Sequence, residues 1–426
     1  MTELNIAIAG LGTVGAGTVR LLRNNADVIA ARAGRGIKIK AVAARDKNKK
    51  RDCDLSGVDW ADDPLALAQR PDVDVVVELI GGAEGVARKL AEAALKNGKH
   101  LVTANKALLA VHGAGLAHLA ETSKRQLNFE AAVAGGIPVI KALRGGMAGN
   151  HIAAVRGILN GTCNYILTRM EEAGLDFAVA LKEAQDKGYA EADPAADIDG
   201  HDTAHKIALL AALAFGAEPD VNNVRIEGIR HLTALDLQFA GELGCRVKLL
   251  GIARLTAQGL EQRVAPALVP KSLPLAQVMG SLNAVLAQGD FVGDVMLEGR
   301  GAGADATASA VVADIIDIAR GNAMPAFGVP AAQLKKLAPA GAAAQSRTYM
   351  RLQVVDKPGV VADISAILRD EAVSIESLIQ RGRSQTSVPV VMTTHAAPAD
   401  AMRRAADKIA KVGSVVEKPV LLPIED

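Results

Sequence analysis

Aromatic residues are scarce in this sequence. One Trp, three Tyr and six Phe make up 2% of its 426 residues, too few for the stacking platforms on which single-strand binders lay nucleic-acid bases. Cysteine is nearly absent as well. Cys53, Cys163 and Cys245 lie far apart and none belongs to a CxxC pair, which argues against a zinc ribbon or disulfide framework and suits a reducing cytoplasm. The longest apolar run covers about residues 207–217, well short of the roughly 18 residues that suggest a membrane span. The N-terminus lacks the basic stretch and apolar core of a secretion signal. There is no excess of either charge: 48 basic and 47 acidic residues leave a net +1, so no global field draws the chain to nucleic acid or to an anionic membrane.

What is present is ample core material. Half the residues are hydrophobic and 22% are charged, which excludes a disordered chain. At roughly 100–200 residues per domain the length allows two to three domains. The first part alternates strand and helix. Apolar strands are expected at 5–9, 37–43, 73–79 and 100–103, with a helix at 86–97, the pattern of a parallel, doubly wound sheet. From 135 onward the texture is mixed α+β. Helices are expected from 138, at 164–172, 177–187 and 202–215, and strands at 155–159, 246–255, 262–268 and 292–297. A helix near 305–330, apolar at Val311, Val312, Ile315 and Ile316, is expected to pack back on the first domain. The boundaries implied are 1–134 for a nucleotide domain and 135–304 for a substrate and dimerisation domain. An Ala/Gly/Pro-rich linker at 337–347 follows, and then a compact βαββαβ unit at 348–426.

Gly10-Leu11-Gly12-Thr13-Val14-Gly15 stands between the first strand and a helix, where a dinucleotide site needs it. Gly10 permits the tight turn, Gly12 lets the backbone approach a pyrophosphate, and Gly15 lets helix and strand pack closely. The helix start then offers free N–H groups to phosphate. The second strand ends in Ala44-Arg45-Asp46-Lys47. Arg45 favours a 2′-phosphate and so NADP, while Asp46 keeps NAD possible.

The segment 187–206 holds five carboxylates and two histidines ahead of an apolar helix. Asp202 and Lys206 are four residues apart and share a helix face. His201 and His205 show neither metalloprotease nor triad spacing and are taken as supporting residues. By spacing alone, a surface ion pair on a solvated loop explains the segment equally well.

Several ordered motifs together resemble the homoserine dehydrogenase family over essentially the whole chain. They are the glycine turn, Thr103-Ala104-Asn105-Lys106-Ala107, the stretch Glu130 to Pro138, Leu159-Asn160-Gly161-Thr162-Cys163-Asn164, Asp197 to Lys206, and Gly299-Arg300-Gly301-Ala302-Gly303. The resemblance implies NADPH-dependent, reversible reduction of L-aspartate 4-semialdehyde to L-homoserine. It implies Lys206 and Lys106 as catalytic lysines, with Glu191, Asp202 and Lys106 binding substrate. Implied cofactor contacts are Gly10, Gly12, Thr13, Val14, Gly15, Arg45, Thr103, Lys106, Gly188, Gly301 and Gly303. It implies a sodium ion held by Glu130 with carbonyls of Val133, Gly135 and Ile137. A lysine suits the chemistry because an alkoxide formed by hydride addition must be protonated. Competing readings are another Rossmann oxidoreductase acting on an amino-acid-derived carbonyl, and a non-enzymatic amino-acid or nucleotide sensor. With nothing ahead of Met1, a fused kinase is not expected.

Residues 348–426 resemble an ACT domain, with Asp356-Lys357-Pro358-Gly359 joining its first strand to its first helix. The resemblance implies a small amino-acid effector, threonine, and a homodimer or homotetramer.

Overall fold

The computed structural model describes residues 3–340, 345–381 and 387–425. Residues 341–344 of the linker and 382–386 and 426 of the C-terminal unit lie outside the described residues. Strands β1 (Leu4–Ala9), β2 (Ile37–Ala43), β3 (Asp59–Trp60), β4 (Val75–Glu78), β5 (His100–Thr103) and β6 (Leu127–Asn128) form an all-parallel sheet ordered β3-β2-β1-β4-β5-β6. This is the doubly wound dinucleotide-binding order, with its switch point between β1 and β4. Side chains alternate across β1 as a strand requires. Ile6 and Ile8 pack in one core with Val311, Val312 and Ile315 of the helix Ala304–Arg320. Ala7 and Ala9 face the opposite core, with Leu90 and Leu101. The chain thus leaves this domain and returns to it to cover one face.

The second sheet takes β7 (Ile152–Ile158), β8 (Arg225–Ile226), β9 (Cys245–Thr256), β10 (Gly259–Pro270), β11 (Leu282–Gly289) and β12 (Gly293–Arg300). From the C-terminal unit it takes β13 (Gln345–Val354), β14 (Ile375–Gln380), β15 (Val388–Thr394) and β17 (Val420–Ile424), while the short β16 (Ala397–Pro398) clips the start of β13. Its order is β12-β11-β7-β9-β10-β17-β13-β15-β14. One sheet therefore runs from the substrate domain into the βαββαβ unit, joined where Leu268 pairs with Ile424. The helix His201–Phe215 lies on β9, where a side chain at Gly251 would press on Thr203 and Ile207 at 3.1 and 3.3 Å.

Three details differ from the sequence reading. The final strand is Val420–Ile424 rather than 415–421; Val415 makes only an isolated bridge to Val354. Helices Lys106–Thr122 and Ala234–Glu242 and strand β11 carried no clear period and were not expected. The 337–347 stretch is tethered where it is described. Leu260 donates its N–H to the Ala338 carbonyl at 2.8 Å, Ala340 donates to the Leu260 carbonyl at 3.0 Å, and Gln345 already belongs to β13.

Candidate active site

The glycine turn is built for close approach. Gly10 has φ +99°, and a Cβ there would lie 2.4 Å from the Leu79 carbonyl oxygen at the end of β4. A Cβ on Gly15 would lie 2.0 Å from the Gly10 oxygen, so helix Thr13–Asn24 can sit on its strand only with glycine there. At Gly12 a Cβ would meet nothing within 4 Å. That residue faces open space at the helix N-terminus, where Thr13 is exposed and Val14 half-buried. A second helix start lies alongside: a Cβ on Gly17 would approach the Ala304 carbonyl at 2.9 Å, and Arg20 pairs with Asp305. Gly303 (φ +108°) caps that second helix, and Gly301 is pressed against Asn283. Two helix N-termini with unsatisfied N–H groups around open space fit a pyrophosphate.

Arg45 is exposed at the end of β2. Asp46 turns its carboxylate into its own loop, accepting the Asn48 and Lys49 amides at 2.9 and 3.2 Å. Arg51, which the sequence did not single out, donates to the Leu11 carbonyl at 3.3 Å and lies over the Trp60 ring. Thr103 is buried and donates to Glu78 at 2.6 Å; the same carboxylate accepts the Ile80 and Gly81 amides at 2.7 and 3.1 Å. Glu78 is thus a buried support of the nucleotide face.

Three side chains come together at the junction of the two domains. Asn105 caps the helix Lys106–Thr122, accepting the Leu108 amide at 3.1 Å, and so fixes Lys106 at the helix start. Lys106 Nζ stands 3.1 Å from Asp202 Oδ1, and Lys206 Nζ 2.7 Å from Asp202 Oδ2. Lys206 also donates to the Leu159 carbonyl at 2.6 Å and is 9% exposed. Asn160 caps the helix Gly161–Ala173 through the Cys163 amide at 2.9 Å, and its amide nitrogen donates to Asp197 at 2.8 Å and Asp202 at 2.9 Å. Burial alone would raise the Asp202 carboxyl, but the charges of Lys206 and Lys106 hold it well below the usual range. Asp197, without such a partner, is pushed up by burial and by Asp202. Burial, then the Lys106 charge, pushes the His205 imidazole down.

Glu191 and Gly188 share no hydrogen bond or ion pair with this group among the described residues. Glu191 is exposed, and its carboxylate has no protein partner among the described residues. Gly188 is exposed with φ +73°. Asn160 and Asp197 received no role from sequence, although an Asn just ahead of a helix is a capping signal.

Glu130 is 2% exposed; its carboxylate accepts the Ile140 amide at 2.8 Å and the Lys141 amide at 2.9 Å. Burial, then the nearby Asp314, pushes its carboxyl up to about 7. Ala134 and Gly135 turn left-handed at φ +57° and +55°. Among the described residues no N–H is directed at the Val133 or Gly135 carbonyl, whereas Ile137 accepts from Val139 at 2.8 Å. A buried carboxylate beside spare carbonyl oxygens fits a hard cation. This loop abuts the second glycine turn, since a Cβ on Gly135 would lie 2.4 Å from the Gly301 oxygen.

Known families match in the same arrangement. A model described as "Homoserine dehydrogenase, NAD binding domain" matches residues 10–130. One described as "Homoserine dehydrogenase" matches 138–316, and "ACT domain" matches 348–413. A homoserine dehydrogenase of Neisseria gonorrhoeae is 47% identical, covering 99% of this chain and 98% of its own. One of Pseudomonas aeruginosa is 45% identical over 93% of this chain and 92% of its own. The crystal structure of a homoserine dehydrogenase from Thiobacillus denitrificans superposes with a TM-score of 0.92 at 42% identity, covering 100% of this chain and 99% of that one. A hyperthermophilic archaeal homoserine dehydrogenase in complex with NADPH superposes at 0.63 with 26% identity, over 76% of this chain and 100% of its own.

Proposed function

The chain belongs to the homoserine dehydrogenase family and is an NAD(P)-dependent oxidoreductase; from that premise we propose that it reduces L-aspartate 4-semialdehyde reversibly with NADPH, in the synthesis of threonine and methionine. The observation that carries the mechanism is the Lys106–Asp202–Lys206 group at the domain junction. Bound nicotinamide supplies the hydride. Lys206 spends donors on Leu159 and Asp202, and its remaining N–H protonates the developing alkoxide. Lys106, half-exposed at a helix start, holds the aldehyde end. Both oxygens of Asp202 are already engaged by the lysines and Asn160. Asp202 therefore orients the lysines, and the substrate α-ammonium falls to Glu191.

NADPH preference rests on Arg45, free at the end of β2, and on Asp46 being consumed by its own turn. The archaeal relative binds NADPH. Glu130 with the carbonyls of Val133, Gly135 and Ile137 would hold sodium and bind the loop between the domains. Gly188 and Thr103 complete the nucleotide surround, Thr103 through Glu78.

Threonine regulation is assigned to the ACT unit. Gly359 (φ +94°) starts the helix Val360–Asp370 with no side-chain cap, leaving N–H groups for a carboxylate, and Asp356 can meet an ammonium. Assembly as a homodimer or homotetramer draws on the edge strands β12 and β14, each paired on one side only. Cys53, Cys163 and Cys245 form no disulfide, which suits the cytoplasm.

A coupled assay of NADPH and NADH oxidation with aspartate semialdehyde, with and without threonine, tests this reading. Turnover with both nucleotides, a higher kcat/KM for NADPH, and threonine inhibition lost in Asp356→Ala are expected. No turnover with the semialdehyde would overturn the substrate assignment.

A further inference from the structure

One sizeable cavity is not lined by the catalytic lysines. It holds about 910 Å³ and lies where the substrate domain meets the ACT unit. That is at the upper end of small-molecule sites, roughly 300–1,000 Å³. It faces the side of the second sheet opposite the helix His201–Phe215. Arg156 and Arg263 both stand opposite Ile252 across β7, β9 and β10 and so share its face of the sheet, as does Arg254 two residues along.

Its lining is strongly basic. Arg156, Arg225, Arg254, Arg263, Arg347 and Arg403 face it with only Glu227, Glu261 and Glu425, six positive charges against three negative. The glutamates do not quench the arginines evenly. Arg263 takes Glu425 and Glu261. Arg156 and Arg254 reach the same Glu425 only at 3.9 Å. Arg347 and Arg403 have carboxylate partners that are not part of the lining, Glu376 at 2.7 Å and Asp400 at 2.8 Å. Arg225 has no partner among the described residues, and the buried Nε of Arg156 has no hydrogen-bond partner. Burial, with Arg254 close by, pushes the Arg156 guanidinium down, the mark of a cation short of a counter-charge. One acceptor is also left over: Glu261 Oε2 is buried without a donor.

We propose that this cleft binds a small dianion, a phosphate or a dicarboxylate, held by Arg156 and Arg225 from the substrate domain and by Arg403 from the ACT unit. Guanidinium groups match both oxyanions in bidentate geometry, and a hydroxyl on the ligand would satisfy Glu261. The position gives binding a consequence. Ile226 and Val264 line the cleft, and each lies 3.0 Å from where a Cβ would stand on Gly200. Gly200 caps the helix that carries Asp202 and Lys206. A ligand here therefore shares a wall with the start of the catalytic helix and also bridges to the ACT unit.

The test is calorimetric titration of the full-length protein with L-malate and, separately, inorganic phosphate at low ionic strength. One dianion per chain should bind with affinity that falls as salt rises, and the two arms tell carboxylate from phosphate. Arg225→Ala/Arg403→Ala alters exposed side chains and should keep the fold while weakening binding at least tenfold. Arg156→Gln should do the same from the buried side. If neither probe binds the wild type, or if the folded double variant binds as well as wild type, the cleft is not an anion site.

Discussion

Asp202 and Lys206 sit one turn apart on the same helix, 2.7 Å between carboxylate and ammonium. A surface pair at this spacing would contribute only about 0.3–0.5 kcal/mol. This one is different because both side chains are 11% exposed and Lys106 arrives from the other domain at 3.1 Å. Asp202 is thereby one point at which the substrate and nucleotide domains are joined.

Lys206→Ala should leave nucleotide binding nearly intact, because the glycine turn lies on other elements. Turnover should drop by about 10²–10⁴-fold, the range for a positioned acid. Steady-state kinetics with nucleotide titration by fluorescence checks it; near-normal turnover in the folded variant would remove Lys206 from the chemistry.

Gly12→Ala and Gly15→Ala should separate binding from stability. Nothing lies within 4 Å of a Cβ at Gly12, so that variant should melt like wild type yet bind NADPH weakly. At Gly15 the Cβ would meet a carbonyl oxygen at 2.0 Å, so that variant should lose stability by about 1–3 kcal/mol or more. Thermal unfolding without nucleotide reads the difference.

Arg45→Asp should weaken NADPH more than NADH by deleting a partner of the 2′-phosphate and adding repulsion. Equal changes in the two dissociation constants would show that discrimination lies elsewhere, with Arg51 the next candidate.

Sodium binding should depend on pH through Glu130. Its folded pKa, about 7, is raised from 4.5. The sign follows: the protonated form favours the fold below about 4.5, and that contribution is lost as pH rises to 7. A cation needs the ionised form, so sodium should raise Tm at pH 8 and do little at pH 5. Glu130→Gln should abolish the effect. A sodium response unchanged in that variant would place the ion elsewhere.

Arg351→Met should be costly. Arg351 reaches Asp236 at 2.6 and 3.2 Å, and Tyr349 joins at 3.2 Å, with Asp236 fully buried. Leaving that carboxylate unpaired costs about 3–5 kcal/mol. Arg351→Met/Asp236→Leu should regain much of the loss in denaturant unfolding. The same contact, with β17 completing the sheet beside β10, means that removing residues 345–426 would uncover core and strip an ion pair. Point variants are therefore the sounder probes of regulation.

What the sequence determined by itself is local. Turn chemistry at Gly10, Gly12 and Gly15, the alternation of strand and helix up to Thr103, and the βαββαβ order after 345 depend on near neighbours and on period. Both are written in the chain. The helices Lys106–Thr122 and Ala234–Glu242 escaped because Ala, Leu and Gly are spread around them without a strong apolar stripe. Only the tertiary structure decided that Lys106 meets Asp202, that Asp236 meets Arg351, and that β10 and β17 continue one sheet. Contacts between distant segments are set by which surfaces the folded layers bury together, and no spacing along the chain encodes that distance.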